Sequence, residues 1–96
     1  MEPKQFYTYI ITNKNNTVLY LGFTDNLKRR INQHKSKSSK GFSGKYNTEK
    51  LVWFEVTHYV ENAIKREKQI KKWNREWKEN LINDMNPKWE DLYWML

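Results

Sequence analysis

Gln5 to Thr12 is a run of aromatic and β-branched residues between polar ends. Phe6, Thr8 and Ile10 fall on one side of an extended chain and Tyr7, Tyr9 and Ile11 on the other, which predicts a β-strand. Asn13 to Asn16 are turn formers. Thr17 to Phe23 reads as a second strand, with Gly22 near its end. So short a polar connection makes the two an antiparallel hairpin. The period then changes. Thr24, Asp25 and Asn26 suit a helix N-cap, and Leu27 and Ile31 follow at i, i+4 spacing, so a helix is expected from about Asp25 to Lys35. The stretch from Lys35 to Lys50 holds Lys, Ser and Gly, with Phe42 and Tyr46 almost its whole apolar content, and reads as a surface loop. In Leu51 to Val56 five of six residues are apolar, which predicts a third strand at the centre of the sheet. A second helix is expected from Val60 or Glu61 to Trp73, with Ala63, Ile64, Ile70 and Trp73 on one arc. A third runs from Arg75 to Asp84, with Trp77 and Leu81 at i, i+4, and Asn86-Pro87 breaks it. The aromatic tail from Lys88 to Leu96 is expected to fold back on the rest. The order β-β-α-β-α-α describes an α+β fold: a small three-stranded antiparallel sheet flanked by helices, in one domain over residues 1–96.

Composition narrows the chemistry. A chain of 96 residues supports one modest core, and five Trp and six Tyr supply large rings to fill it. There is no Cys, so disulfides and thiolate metal sites are excluded. No apolar run is long enough to span a membrane, and the N-terminus lacks the pattern of a secretory signal, so a cytoplasmic protein is expected. The net charge of +7 is uneven. Residues 27–50 hold eight Lys or Arg against one Glu, and residues 61–79 hold seven against four. The first block contains Lys28, Arg29, Lys35, Lys37, Lys40 and Lys45 beside an aromatic corner, which suits the phosphate backbone of a nucleic acid. The loop part of that block can order on such a partner. A basic block alone serves equally well as a solvated face.

Three chemistry-bearing side chains meet at the end of the hairpin. Tyr20 precedes the turn, and Arg30 and His34 share one face of the helix after it. Tyr9 lies on the neighbouring strand, in a register that sequence leaves open. Glu67 falls inside the apolar arc of the second helix, which is costly unless something pairs with it. Arg30 and a bound metal ion are both candidates. Taken singly, each residue has a plain structural role. The tyrosines are good strand residues, Gly22 permits a turn, Arg30 and His34 sit well on an exposed helix, and Glu67 can be half of an ion pair. Their joint occurrence carries the argument.

Together the Tyr9 strand, the run Leu19-Tyr20-Leu21-Gly22, the stretch Asn26 to His34, Glu67 within Arg66 to Lys71, and the closing Asn86-Pro87-Lys88-Trp89 resemble the GIY-YIG nuclease domain, most of all its small stand-alone bacterial members. The motif is not literal, since Thr8 precedes Tyr9 and Leu21 stands between Tyr20 and Gly22. The resemblance implies Tyr9, Tyr20, Arg30 and His34 as catalytic residues, Gly22 as the structural glycine and Glu67 as the ligand of a single Mg²⁺ or Mn²⁺ ion. It also implies DNA as partner and an endonuclease, with repair or recombination as its setting. Asn80, Asn83 and Asn86 are all candidates for a late family asparagine. A nucleic-acid-binding module with a degenerate nuclease site, and a protein-interaction domain using its aromatic tail, are the competing readings. The oligomeric state is open.

Overall fold

Both faces of the first strand carry side chains that need covering, and this fixes the layout. The computed structural model describes residues 4–36 and 47–96. In it β1 (Phe6–Thr12) is the middle strand of a three-stranded antiparallel sheet, with β2 (Leu19–Thr24) on one side and β3 (Lys50–Thr57) on the other. The hairpin closes through side chains. The Asn13 carboxamide oxygen accepts from the backbone N–H of Thr17 at 2.8 Å and of Val18 at 3.0 Å. Those amides are thereby taken from the ladder, and β2 starts at Leu19 rather than at Thr17.

The expectation that β3 is the central strand is corrected: it lies at an edge. Its apolar run has another cause. The pairing with β1 slips between Ile10 and Ile11, so that Trp53 faces Ile10 and Leu51 faces Ile11, leaving Val52 as the extra residue of a bulge. Both faces of this end of the sheet are covered, and Leu51, Val52 and Trp53 are all buried. Beyond the cover, Glu55 and Val56 are exposed.

The helices form two layers. Helix α1 (Leu27–Ser36) starts at Asn26, whose side chain accepts from the Arg29 N–H at 3.1 Å. Its Leu27 and Ile31 join Tyr9, Ile11, Leu51 and Leu92 in one core cluster. On the other face, α2 (Val60–Lys71) and α3 (Arg75–Met85) deliver Ile70 and Ile82 to a second cluster with Ile10, Leu21, Val52 and Trp53. Trp73 falls in the link between them and packs on that cluster. Ile64 is half-buried at its margin. No helix among the described residues is long and apolar enough to cross a membrane.

The tail returns as expected. A 3-10 turn (Leu92–Met95) places Leu92 in the α1-side core. Asp91 anchors it by accepting from the N–H of Leu51 and of Tyr93, each at 3.1 Å, and by pairing with Lys35. Asn86 ties the tail to the sheet. It is 5% exposed, donates to the carbonyls of Val52 at 3.2 Å and Glu90 at 2.8 Å, and accepts from the Glu90 N–H at 3.1 Å. Replacing Asn86 with Ala leaves the Val52 and Glu90 carbonyls to other partners. The expected cost is about 2 kcal/mol of folding free energy in a urea titration, with the secondary structure of the folded form unchanged.

Candidate active site

The pairing of β1 with β2 sets Tyr9 opposite Gly22 and Ile11 opposite Tyr20, so both tyrosines lie on the α1 side of the sheet. The Tyr9 ring runs across Gly22. A Cβ at residue 22 would stand 2.6 Å from the Tyr9 hydroxyl oxygen and 2.7 Å from its Cζ, closer than atoms can approach. Gly22 is therefore required by a close contact of side chain on backbone. The ring is fully buried, and its hydroxyl emerges beside α1.

There it meets Arg30 and His34, one turn apart on that helix. Arg30 donates from Nε to the Tyr9 hydroxyl at 3.4 Å, and that hydroxyl lies 3.3 Å from His34 Nε2. The His34 ring also stacks at a tilt against Tyr20, centroid to centroid 5.7 Å, and against Tyr9 at 6.0 Å. Tyr20 lies within hydrogen-bonding reach of Arg30. Tyr9, Tyr20, Arg30 and His34 thus form one group on one corner. Arg30 opens onto a groove of about 470 Å³ lined by Phe6, Phe23, Asp25, Arg29 and Gln33 among others.

The electrostatics follow from burial beside a fixed cation. Burial pushes the Tyr9 phenol above its usual range, although Arg30 pulls it down. Burial, and then the Arg30 charge, lower His34 to about 4. The hydrogen bond to Tyr9 raises the already high value of Arg30, against the opposing effect of its partial burial. At neutral pH the group is a neutral phenol, a neutral imidazole and a guanidinium. A neutral His34 accepts the Tyr9 proton at Nε2 and keeps its own on Nδ1. Moving that proton to His34 is uphill in the resting protein.

Glu67 comes from the other layer. It is 9% exposed, and its carboxylate pairs with Lys71 Nζ at 2.9 Å. Arg30, one of its two expected partners, does not fill that role. Its charge still reaches the corner, where it contributes to the rise of Tyr9. No group of three or more His, Asp or Glu that could hold a metal ion exists among the described residues. A cage is thereby excluded among them. A lone, nearly buried carboxylate does suit a hard ion that keeps most of its water and takes phosphate oxygens from a substrate. Glu67 fits in that limited sense, with Lys71 on its Oε1. Sequence reasoning passed over Lys71, although its i, i+4 spacing from Glu67 was the signal.

The expected nucleic-acid contacts divide. Lys28 and Arg29 are exposed on the outer side of α1, with Arg29 3.9 Å from Asp25. Lys35 is half-buried, paired with Asp91, and stands 5.2 Å from the Tyr93 ring centre. Lys37, Lys40 and Lys45 lie outside the described residues. Of the three late asparagines, Asn86 is the tail clasp, Asn83 accepts from the Trp89 indole at 2.6 Å, and Asn80 is exposed on α3.

Known proteins share this fold. The GIY-YIG catalytic domain matches residues 5–80. A UPF0213 protein of Clostridium perfringens is 35% identical over 85 residues, spanning 88% of this chain and 90% of its own length. A UPF0213 protein of Syntrophus aciditrophicus is 37% identical over 82 residues, spanning 84% and 92%. The solution structure of a UPF0213 protein of Bacillus halodurans superposes with a TM-score of 0.58 at 26% identity, covering 91% of this chain and 92% of that one. That neighbour shares the three-stranded sheet and flanking helices.

Two outcomes test the corner. Gly22→Ala should displace the Tyr9 ring and cost about 1–3 kcal/mol in a urea titration, as overfilled cores do. The second concerns pH. His34 binds its proton at about 4 in the folded chain, against 6.5 ordinarily. The unfolded chain therefore takes up that proton first as pH falls. Stability from this group is complete above pH 6.5 and drains away down to pH 4, by on the order of 3 kcal/mol. Thermal melts between pH 7 and 4 should show a shallower decline for His34→Gln than for wild type.

Proposed function

This chain belongs to the GIY-YIG family, whose domain is a nuclease fold, and we propose that it is a metal-dependent endonuclease hydrolysing phosphodiester bonds in DNA, in repair or recombination. The observation that carries the reading is the meeting of a guanidinium and a neutral imidazole on the Tyr9 hydroxyl, with the Tyr20 ring packed against that imidazole. Packing alone needs no such set. In this reading the protein works in the cytoplasm, on DNA.

Hydrolysis needs a placed water, shielding of the charge that builds on phosphorus and a stabilised leaving oxygen. Arg30 keeps its charge at every working pH, and it faces the groove. It braces the extra negative charge of the pentacovalent phosphate. Its Nε is fixed by Tyr9, so the guanidinium is aimed before substrate arrives. The two tyrosines take different parts. Tyr9, buried and kept protonated, orients Arg30 through its oxygen and His34 through its proton. Tyr20 is only half-buried, and it takes the side facing water, where it positions the attacking molecule. Once the substrate's charge has raised its basicity, His34 takes the Tyr9 proton at Nε2 and Tyr9 takes one from the attacking water in its place, so Tyr9 ends protonated and the water's oxygen is freed to attack. Glu67 holds the divalent ion that members of this family generally use, and when bound that ion supplies Lewis-acid polarisation of the phosphate. Lys28 and Arg29 on α1 carry the phosphates away from the cut.

A second reading has one observation in its favour: Lys71 already neutralises Glu67. In it the chain binds nucleic acid with salt-dependent affinity and cuts nothing. A cleavage assay separates the two. With Mg²⁺, purified protein should nick or cut a panel of plain, nicked and branched DNA, and EDTA should stop it. Arg30→Ala and Glu67→Ala should each lower the rate by about 10²-fold or more, with circular dichroism unchanged. Wild-type protein that leaves duplex, single-stranded and branched DNA intact in both Mg²⁺ and Mn²⁺ ends the nuclease reading. An equal rate for Glu67→Ala removes that residue from it.

A further inference from the structure

The join between α2 and α3 carries a groove that the catalytic corner does not use. Trp73 and Trp77 form its walls, with ring centroids 5.8 Å apart and planes at 76°. Asn80, Leu81 and Asp84 complete the lining around a volume of about 230 Å³. Trp77 is 56% exposed. An indole left that far in water contributes little to the core, yet its contact with Trp73 holds it in place.

The chemistry of the lining is that of a nucleobase site. Aromatic walls offer stacking to any base, Leu81 adds a small apolar surface, and Asn80 and Asp84 can hydrogen-bond a base edge. The volume suits one base or one side chain. Location and charge favour the base. Trp73 follows Glu67 by six residues in the chain, about 9 Å at helical rise. Between them α2 presents Lys68 and Lys71, with Lys72 just after, so the way from the catalytic corner to the groove is cationic. Arg66, paired with Glu55 at 3.2 Å, stands with its guanidinium carbon 5.4 Å from the Trp73 ring centre and adds no free charge to that path. The α3 side is different: Arg75 is taken up by Glu79 at 2.9 Å, and Asp84 puts a carboxylate in the groove lining itself, so this side lacks the cationic surplus of α2. Phosphates therefore follow α2, and a base can turn toward α3. A base is free to do so only when its strand is unpaired.

We propose that the Trp73–Trp77 groove binds a nucleobase of the unpaired strand that leaves the catalytic corner. This deepens the nuclease reading, which supplies the identity of the strand, but base binding in the groove does not require cleavage. The test accordingly runs without metal. In EDTA, the full chain is titrated with short oligothymidylate, following intrinsic tryptophan fluorescence and the anisotropy of a labelled strand. Wild type should show quenching. Trp77→Leu should lose most of that quenching and bind about tenfold more weakly, as expected for one stacked base. Trp94→Leu, at a 75% exposed residue of the 3-10 turn on the other face of the sheet, should match wild type. Circular dichroism checks that both variants fold. If Trp77→Leu binds oligothymidylate like wild type, or if both variants weaken it equally, the groove is no base site and serves a protein side chain or packing alone. Cleavage is scored separately. Trp77-dependent quenching by a protein that never cuts DNA keeps the groove and ends the nuclease reading. A protein that cuts DNA, with Trp77→Leu binding unaltered, keeps that reading and ends the groove.

Discussion

One contact organises the molecule: the Tyr9 ring laid across the backbone of Gly22. Any side chain at residue 22 would press on the ring, and the ring's hydroxyl adds a polar link to the apolar packing of Leu27 and Ile31 that seats α1 on the sheet. The contact also exists in only one register. A slip of one residue between β1 and β2 would send Tyr9 to the α2 face and set a bulky side chain opposite it. The same two residues therefore set the strand pairing, the seat of the helix and the position of the hydroxyl on which Arg30 and His34 converge. Fold and site are not separable here, because the residue at the heart of the site is also one of the largest side chains of the core.

This arrangement explains the protonation states. A phenol and an imidazole, buried together beside a permanent cation, both stay neutral, and the formal charge that meets them from α1 is that of Arg30. The opposite charge arrives from the other layer. Glu67 stands on α2, behind the sheet as seen from α1, yet its field still reaches Tyr9. The two layers come within electrostatic reach because β2 is an edge strand with no further strand beyond it. An edge ordinarily invites another chain to pair. Here it lies between the guanidinium of one layer and the carboxylate of the other.

Much of this was legible in the residues, for identifiable reasons. The alternation of β1 survives translation into structure because both of its faces are covered. The i, i+4 pair Arg30 and His34 meets Tyr9 because helical spacing is rigid. The place of β3 was misread for a physical reason: a bulge puts Val52 and Trp53 into the same core cluster, and the resulting apolar run imitates a central strand. Of the two partners left open for Glu67, Arg30 does not pair with it, because Lys71, four residues along the same helix, is nearer. The register that brings Tyr9 over Gly22 could not be read, because hairpin composition fixes a turn and leaves the pairing open. The tail's role as a clasp was hidden too, since the burial of Asn86 depends on where Val52 lies.

The distribution of polar groups then separates stability from chemistry more cleanly than so small a core would suggest. Asn86 and Asp91 are satisfied by backbone groups, and they hold the tail without offering anything to a substrate. The corner is satisfied differently. Tyr9, Arg30 and His34 meet at 3.3 and 3.4 Å, at the long end of hydrogen bonding, where a group keeps its orientation but gives up little by exchanging its partner. Glu67 is held by a lysine that is itself largely in solvent, an exchangeable counterion of modest strength. Tight bonds to backbone fix the frame, and looser bonds between side chains leave the corner able to trade its internal partners for a phosphate and a cation. That division is what a site needs if substrate is to complete it.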